Sequence, residues 1–279
     1  EETLIQDEDD NYTVSEEIKI DKPSSAYEDL EVDLVNEEFD FDPDDLREKS
    51  TSLLFSSIKG ESAITLDDFE ILNILGKGAF GKVYLTRMKE DNNLYAIKTI
   101  RKDVVIETDQ IEAVNLERDV LLNCKHPFLV GMEFVFQSDL RLYFVMPFVQ
   151  GGELYKHFLT NKRFPEEVVK FYAIQIVLAI GHLHDQKIVH RDLKLENLLV
   201  DTDFHLKIAD FGLSTTVESS YGGGVMHTRV GTERYMPPEM LEKNAYVGIC
   251  ADLFAAGIIL FVLVVGIMPT HKTAESNDY

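Results

Sequence analysis

Asp192, Lys194 and Asn197 fall within six residues of one another in the run Ile188-Val-His190-Arg191-Asp192-Leu-Lys194-Leu-Glu196-Asn197-Leu-Leu199. A carboxylate here can orient a hydroxyl and accept its proton. A lysine can neutralise a transferring phosphoryl group, and an amide oxygen can ligate a hard cation. Eleven residues beyond Leu199 comes Asp210-Phe211-Gly212, a second acidic oxygen donor on a glycine turn. Phosphoryl transfer needs this kind of set, because it depends on positioning and charge neutralisation far more than on covalent chemistry. Taken alone, each stretch is also compatible with a polar loop between apolar strands.

Two upstream features narrow the choice. Gly76-Lys-Gly78-Ala-Phe80-Gly81-Lys-Val83 is a glycine-rich loop whose backbone N–H groups can approach phosphate oxygens without Cβ obstruction. A dinucleotide-binding fold shows the same spacing but needs a helix after the loop; Val83-Tyr-Leu-Thr reads as strand. The loop is therefore expected to be a hairpin over phosphates. Lys98 follows in the apolar strand Tyr95-Ala96-Ile97-Lys98, where an ammonium needs a counter-charge. Glu117, one of several acids on the helical stretch 109–122, and the phosphates are the natural partners. Chance assembly of all four features in this order is negligible.

The elements that must position these groups change character along the chain. FEILNIL, KVYLTR and LYAIKTI favour strands, as do Met132–Phe136 and Leu142–Phe148. Apolar residues at 111, 114, 121 and 122 mark a helical face, and Pro165-Glu-Glu opens a helix over Val168–Leu183. Strands first and helices later indicate an α+β chain with two unlike lobes, joined near Phe148–Gly152. The formal charge of -23 is uneven: residues 1–50 hold 20 acids against 4 Lys/Arg, and the rest 30 against 23. Residues 1–66 accordingly read as an acidic, disordered tail. Within it, alternating acidic and apolar residues at 27–35 and 39–46 suggest either a solvated linker or a short docking peptide. Such acidity disfavours nucleic acid as a partner. Cys124 and Cys250 have no pairing or metal-ligand pattern, which suits a reducing compartment. The uncharged run Leu253–Met268, bounded by Asp252 and Pro269, is shorter than the roughly 20 residues of a membrane span and is expected to be a buried core helix.

From about Phe69 onward the sequence resembles the eukaryotic protein kinases of serine/threonine type. It is most similar to the AGC group, the cAMP-dependent and Akt-like enzymes. The residues that carry this are Asp68-Phe-Glu-Ile-Leu, His126-Pro-Phe-Leu-Val, Leu142-Tyr-Phe-Val-Met146, Gly151-Gly-Glu153-Leu and Asp192-Leu-Lys-Leu-Glu-Asn. The resemblance implies a bilobal protein-kinase fold over 67–279, with a β-rich N-lobe at about 67–148 and a helical C-lobe at about 149–279. ATP and Mg²⁺ would bind between the lobes. Gly76, Gly78, Phe80 and Gly81 would cover the phosphates, and Lys98 and Glu117 would fix them. Asn197 and Asp210 would hold metal, and Asp192 and Lys194 would serve the transfer. Val83, Ala96 and Leu199 would enclose the adenine, with Met146 as gatekeeper. Glu153 would approach the ribose and a basic substrate side chain, a preference that Glu196 supports. Thr228-Arg-Val-Gly231-Thr232 makes Thr228 the activating phosphorylation site, paired with Arg191, and sets Thr232 beside Asp192 and Lys194.

The pattern also breaks. Pro237-Pro238-Glu239 stands for the family's Ala-Pro-Glu, and Glu233-Arg234-Tyr235 for its Pro-Glu-Tyr. Val262 occupies a position where several basic-directed relatives carry a glutamate, while Asp252 is kept to hold the catalytic loop's backbone. The C-lobe is expected to be incomplete, making the chain a partial sequence, and no signal peptide is visible after Glu1. Expected partners are protein substrates, an upstream activating kinase and a docking partner for the acidic tail, with no transmembrane segment. The expected location is intracellular and cytoplasmic, the nucleus being left open. The alternative is a catalytically silent ATP-binding scaffold.

Overall fold

The computed structural model describes residues 64–217, 224–242 and 244–269. The tail at 1–63, with its expected docking peptide, lies outside the described residues. Ile64 and Leu66, which the sequence reading gave to the tail, pack against the outer apolar cluster of Phe69, Met88, Ile97, Tyr143 and Val145.

Five antiparallel strands form the first layer: β1 (Phe69–Gly78), β2 (Gly81–Met88), β3 (Leu94–Arg101), β4 (Phe134–Gln137) and β5 (Arg141–Pro147). Their order is β1-β2-β3-β5-β4. Side chains alternate across a strand, so Ile97 joins the outer cluster while Ile100 and Phe144 enter the main core. Two helices follow β3. The short α1 (Lys102–Glu107) was not read from sequence; α2 (Ile111–Asn123) was. Residues three and four apart share a helix face, and Val114, Glu117, Val120 and Leu121 form the buried stripe of α2.

The second layer is helical. α3 (Leu154–Asn161) and the 20-residue α4 (Glu166–Asp185) come first. α4 buries Val169, Tyr172, Ile176, Ala179, Ile180 and Leu183, a period-3.6 stripe. Two small ribbons lie on it: β6 (Ile188–Val189) pairs with β9 (Thr215–Thr216), and β7 (Leu198–Val200) with β8 (Leu206–Ile208). Then come β10 (Val225–Met226), the helical turn α5 (Pro238–Leu241), β11 (Tyr246–Val247) and α6 (Gly248–Val265). One apolar cluster runs from Ile100 and Val114 through Leu183 and Leu198 to Ile259 and Leu263, so the two layers share a core.

α6 is longer than the expected run because Asp252 lies inside it. By length and composition alone it could cross a membrane. In this fold Asp252, Ala255, Ala256, Ile259, Val262 and Leu263 are buried against protein, and Leu253, Phe261 and Val264 are exposed.

Candidate active site

The glycine hairpin is what remains when β1 and β2 close on each other: Gly78 pairs with Gly81, leaving Ala79 and Phe80 as its tip. The glycines are not equivalent. A Cβ on Gly76 would meet nothing within 4 Å, whereas one on Gly81 would lie 1.9 Å from the Thr99 carbonyl oxygen. Gly81 is thus demanded by the close approach of β2 to β3, and Gly76 is left open toward a ligand.

Lys98 projects from β3 toward α2. Its Nζ donates to Glu117 Oε1 at 2.6 Å and to Asp210 Oδ1 at 3.4 Å. Glu117 is the acid on the inward stripe of α2; Glu112 and Asp119 face out. Burial works against the Lys98 ammonium, but the Glu117 and Asp210 carboxylates outweigh it and hold its pKa above the ordinary lysine value. Burial likewise opposes the Asp210 carboxylate, and the charge of Lys98, with the hydrogen bonds from Lys98 and the Gly212 backbone, reverses that effect and keeps its pKa low. A half-buried pair of this kind gains Coulomb energy of the same order as the several kcal/mol its desolvation costs. Its main product is therefore position.

The catalytic loop is fastened through its backbone. Asp252 of α6, 1% exposed, accepts the His190 and Arg191 N–H groups at 2.9 and 2.8 Å, and His184 Nε2–H of α4 at 2.8 Å. His190, fully buried, takes the Asp192 N–H on Nδ1 at 3.2 Å and donates from Nε2 to the Ala209 carbonyl at 3.2 Å. One ring thus ties the Asp192 loop to the residue before Asp210. No local sequence pattern marks this role of His190, because it depends on the approach of Ala209. Asn197 Nδ2 donates to the Asp192 carbonyl at 2.9 Å, which leaves the amide oxygen for another partner.

Asp192 is 7% exposed. Its Oδ2 accepts Lys194 Nζ–H at 2.6 Å, and its Oδ1 accepts the Thr232 hydroxyl at 2.7 Å. Lys194 also donates to Thr232 Oγ1 at 3.2 Å. Gly231 lets Thr232 reach this place: its φ is +105°, and a Cβ there would lie 2.3 Å from the Arg191 carbonyl. The signal for that close approach was the Gly-Thr pair itself.

The remaining residues fall around this centre. Ala96 of β3 pairs with Met146 of β5 and with Leu85 of β2, while Val83 pairs with Lys98. Leu199 of β7 bridges to Glu153 at the start of α3. Val83, Ala96, Met146 and Leu199 are all half-buried beside fully buried neighbours such as Ile97 and Val145, as apolar walls of an open cleft would be. Phe80 packs partly against the main core. Glu153 lies 3.9 Å from Lys156. Glu196 Oε2 is buried and, among the described residues, has no hydrogen-bond partner. Beside it, burial pushes the Tyr235 hydroxyl up to about 12, with the Glu196 carboxylate adding to the shift.

Two groups are placed apart. Arg191 donates from Nε to the Leu213 carbonyl at 2.7 Å, and Thr228 is exposed, its carbonyl accepting the Tyr246 hydroxyl at 2.9 Å. Among the described residues no hydrogen bond joins Arg191 to Thr228. Val262 is 1% exposed inside the core, and Arg234 is exposed.

The donor set suits a magnesium nucleotide. Asp210, with its side chain 53% exposed, and the Asn197 amide offer hard oxygens, and Lys98 offers an ammonium at the same place.

Comparison with known proteins agrees with this arrangement. A family model for the protein kinase domain matches residues 69–279. This chain belongs to the protein kinase family. RAC-beta serine/threonine-protein kinase B of Xenopus laevis is 42% identical over 77% of this chain and 44% of its own length. The RAC serine/threonine-protein kinase of Drosophila melanogaster is 43% identical over 76% of this chain and 34% of its length. Serine/threonine-protein kinase akt-1 of Caenorhabditis elegans is 44% identical over 75% and 38%. Over this domain the chain is similar to RAC and Akt serine/threonine kinases, and it spans less than half the length of these relatives.

Proposed function

We propose that this kinase binds ATP with Mg²⁺ between its lobes and transfers the terminal phosphate to serine or threonine hydroxyls of protein substrates in intracellular signalling. The observation that carries the proposal is the convergence of Lys98, Glu117 and Asp210 from three separate segments, with Asp192, Lys194 and Asn197 on the loop that His190 ties to Ala209. When bound, the magnesium nucleotide supplies the phosphoryl group and screens its charge. Asp210 and the Asn197 amide oxygen would hold the metal, and Lys98, steadied by Glu117, would fix the phosphates. Asp192 would orient the substrate hydroxyl and take its proton as the oxygen bonds to the terminal phosphorus and the bond from that phosphorus to the departing ADP breaks. Lys194 offsets the negative charge that gathers there. Thr232 hydrogen-bonds to both Asp192 and Lys194 and so keeps them together.

Glu196 supports a basic substrate residue: a buried carboxylate oxygen with no partner is costly until a cation reaches it. Thr228, exposed and outside the hydrogen-bonded centre, is open to phosphorylation by an upstream kinase, with Arg191 as the cation available to the new phosphate. We place the protein in the cytoplasm.

The test is phosphate transfer from Mg-ATP to an arginine-containing peptide by the full chain. Asp192→Ala should lower turnover by about 10²–10⁴-fold, the usual contribution of a proton acceptor. Unchanged turnover in that variant rejects the role of Asp192. Nucleotide binding with no transfer even in the parent chain supports the silent scaffold instead.

A further inference from the structure

The ladder between β2 and β3 runs in register from Arg87–Leu94 to Val83–Lys98 and then stops. At the next rung the side chain of Thr99 takes over. Its hydroxyl accepts the Lys82 N–H at 3.3 Å and donates to the Lys82 carbonyl at 3.1 Å. Two residues further on, the Arg101 N–H donates to the Phe80 carbonyl at 2.8 Å, and backbone pairing resumes. A hydroxyl therefore fills a gap in the ladder at the root of the glycine hairpin. A hydroxyl can do this because one atom both donates and accepts, matching the N–H and C=O of a single residue. An aliphatic side chain of the same shape can do neither.

The surroundings leave this latch little freedom. Thr99 is 5% exposed, and β2 runs so close that Gly81 tolerates no Cβ against the Thr99 carbonyl. Thr99 directly follows Lys98, and alternation along β3 puts the two side chains on opposite faces of the sheet. The latch thus grips the hairpin from the outer face while Lys98 works on the inner one. Hairpin root and phosphate-binding lysine are held as one unit.

We propose that Thr99 is a positioning residue for the nucleotide: its hydroxyl fixes the glycine hairpin to the strand that carries Lys98 and so sets the hairpin's height over the triphosphate. This rests on the ATP reading above.

The experiment uses the full chain and three variants. Thr99→Val removes the hydroxyl and keeps the shape, Thr99→Ala removes it with no added bulk should valine perturb folding, and Thr99→Ser restores it. Amide hydrogen exchange is followed without nucleotide in peptides covering 76–84, and the Mg-ATP dissociation constant is measured by calorimetry. Loss of the two hydrogen bonds should speed exchange in the hairpin and raise the dissociation constant by about three- to tenfold in the valine and alanine variants. Thr99→Ser should stay near the parent in both, and exchange in β4 and β5 should not change. Parental exchange in the valine and alanine variants overturns the latch. Faster exchange with parental affinity overturns the positioning role. A serine variant as impaired as valine does so too. A parent chain that fails to bind Mg-ATP overturns the nucleotide reading itself, a result distinct from a parent and a valine variant that bind equally.

Discussion

On the C-lobe side the loop bearing Asp192 is clamped through its backbone, by Asp252 from α6, by the His190 ring and by Asn197. On the N-lobe side Lys98 is held by carboxylates, and the Thr99 hydroxyl fills the gap in the ladder at the root of the hairpin above it. The two arrangements suit different tasks. Backbone clamps in a 0–7% exposed setting fix geometry, because each lost partner strands a buried polar group. Side-chain ion pairs can exchange partners at modest cost, as a site that takes up and releases a charged nucleotide must. A rigid floor and an adjustable roof follow from the kind of bond used on each side.

The sharpest way to break this comparison is Asp252→Ala. It removes the acceptor of two backbone N–H groups and of His184, and should lower unfolding free energy by about 3–5 kcal/mol. Asp252→Asn, which keeps an acceptor, should lose less. Chemical denaturation measures both, and a loss under about 1 kcal/mol in the alanine variant would remove the clamp from the account.

The adjustable side should behave otherwise. Lys98→Met leaves Glu117, whose side chain is 5% exposed, without its ammonium. Stability should fall by about 1–3 kcal/mol. Replacing both partners, Lys98→Met with Glu117→Leu, should recover most of that loss while phosphate transfer stays absent. A double variant as unstable as the single one would show that the pair holds the fold together in its own right.

The smallest effect lies where the two sides meet. The loop after α2 stacks His126 on His182 of α4, ring centroids 5.0 Å apart. Burial, then the neighbouring His182 and Lys207, hold the His126 pKa below its ordinary 6.5. The unfolded chain therefore binds the proton more readily than the folded one. The contribution to stability is complete above pH 6.5 and is lost as pH falls through that value toward the lower folded pKa. His126→Phe should flatten this acid-side slope in melting temperature measured from pH 7 to 5 and leave neutral-pH activity unaltered. An unchanged slope would assign the acid sensitivity to other groups.

Local features of the site were legible because their chemistry is local. Asp192, Lys194 and Asn197 sit on one short loop, and Lys98 stands out as a charge in an apolar strand. Glu117 looked like one acid among several, though the 114–117–121 spacing already put it on the buried stripe. What escaped the sequence is what depends on approach between distant segments. The run Leu253–Met268 seemed to begin after a boundary aspartate, but three hydrogen bonds satisfy Asp252 and the helix runs through it from Gly248. Gly81 looked like a phosphate contact, and the structure gives it a second demand, the carbonyl of Thr99. The gap in the ladder that Thr99 fills has no composition signal at all.

The 112 residues that separate Lys98 from Asp210 also bear on synthesis. At translation speeds of about 5–20 residues per second, Asp210 is made roughly 6–22 s after Lys98. The hairpins of β1, β2 and β3 join near neighbours and can form within that interval, since short-range contacts cost little loop entropy. Glu117, only 19 residues after Lys98, supplies a counter-charge for most of that interval. On the ribosome the roof is therefore built before the floor, and the clamp from Asp252 comes last of all.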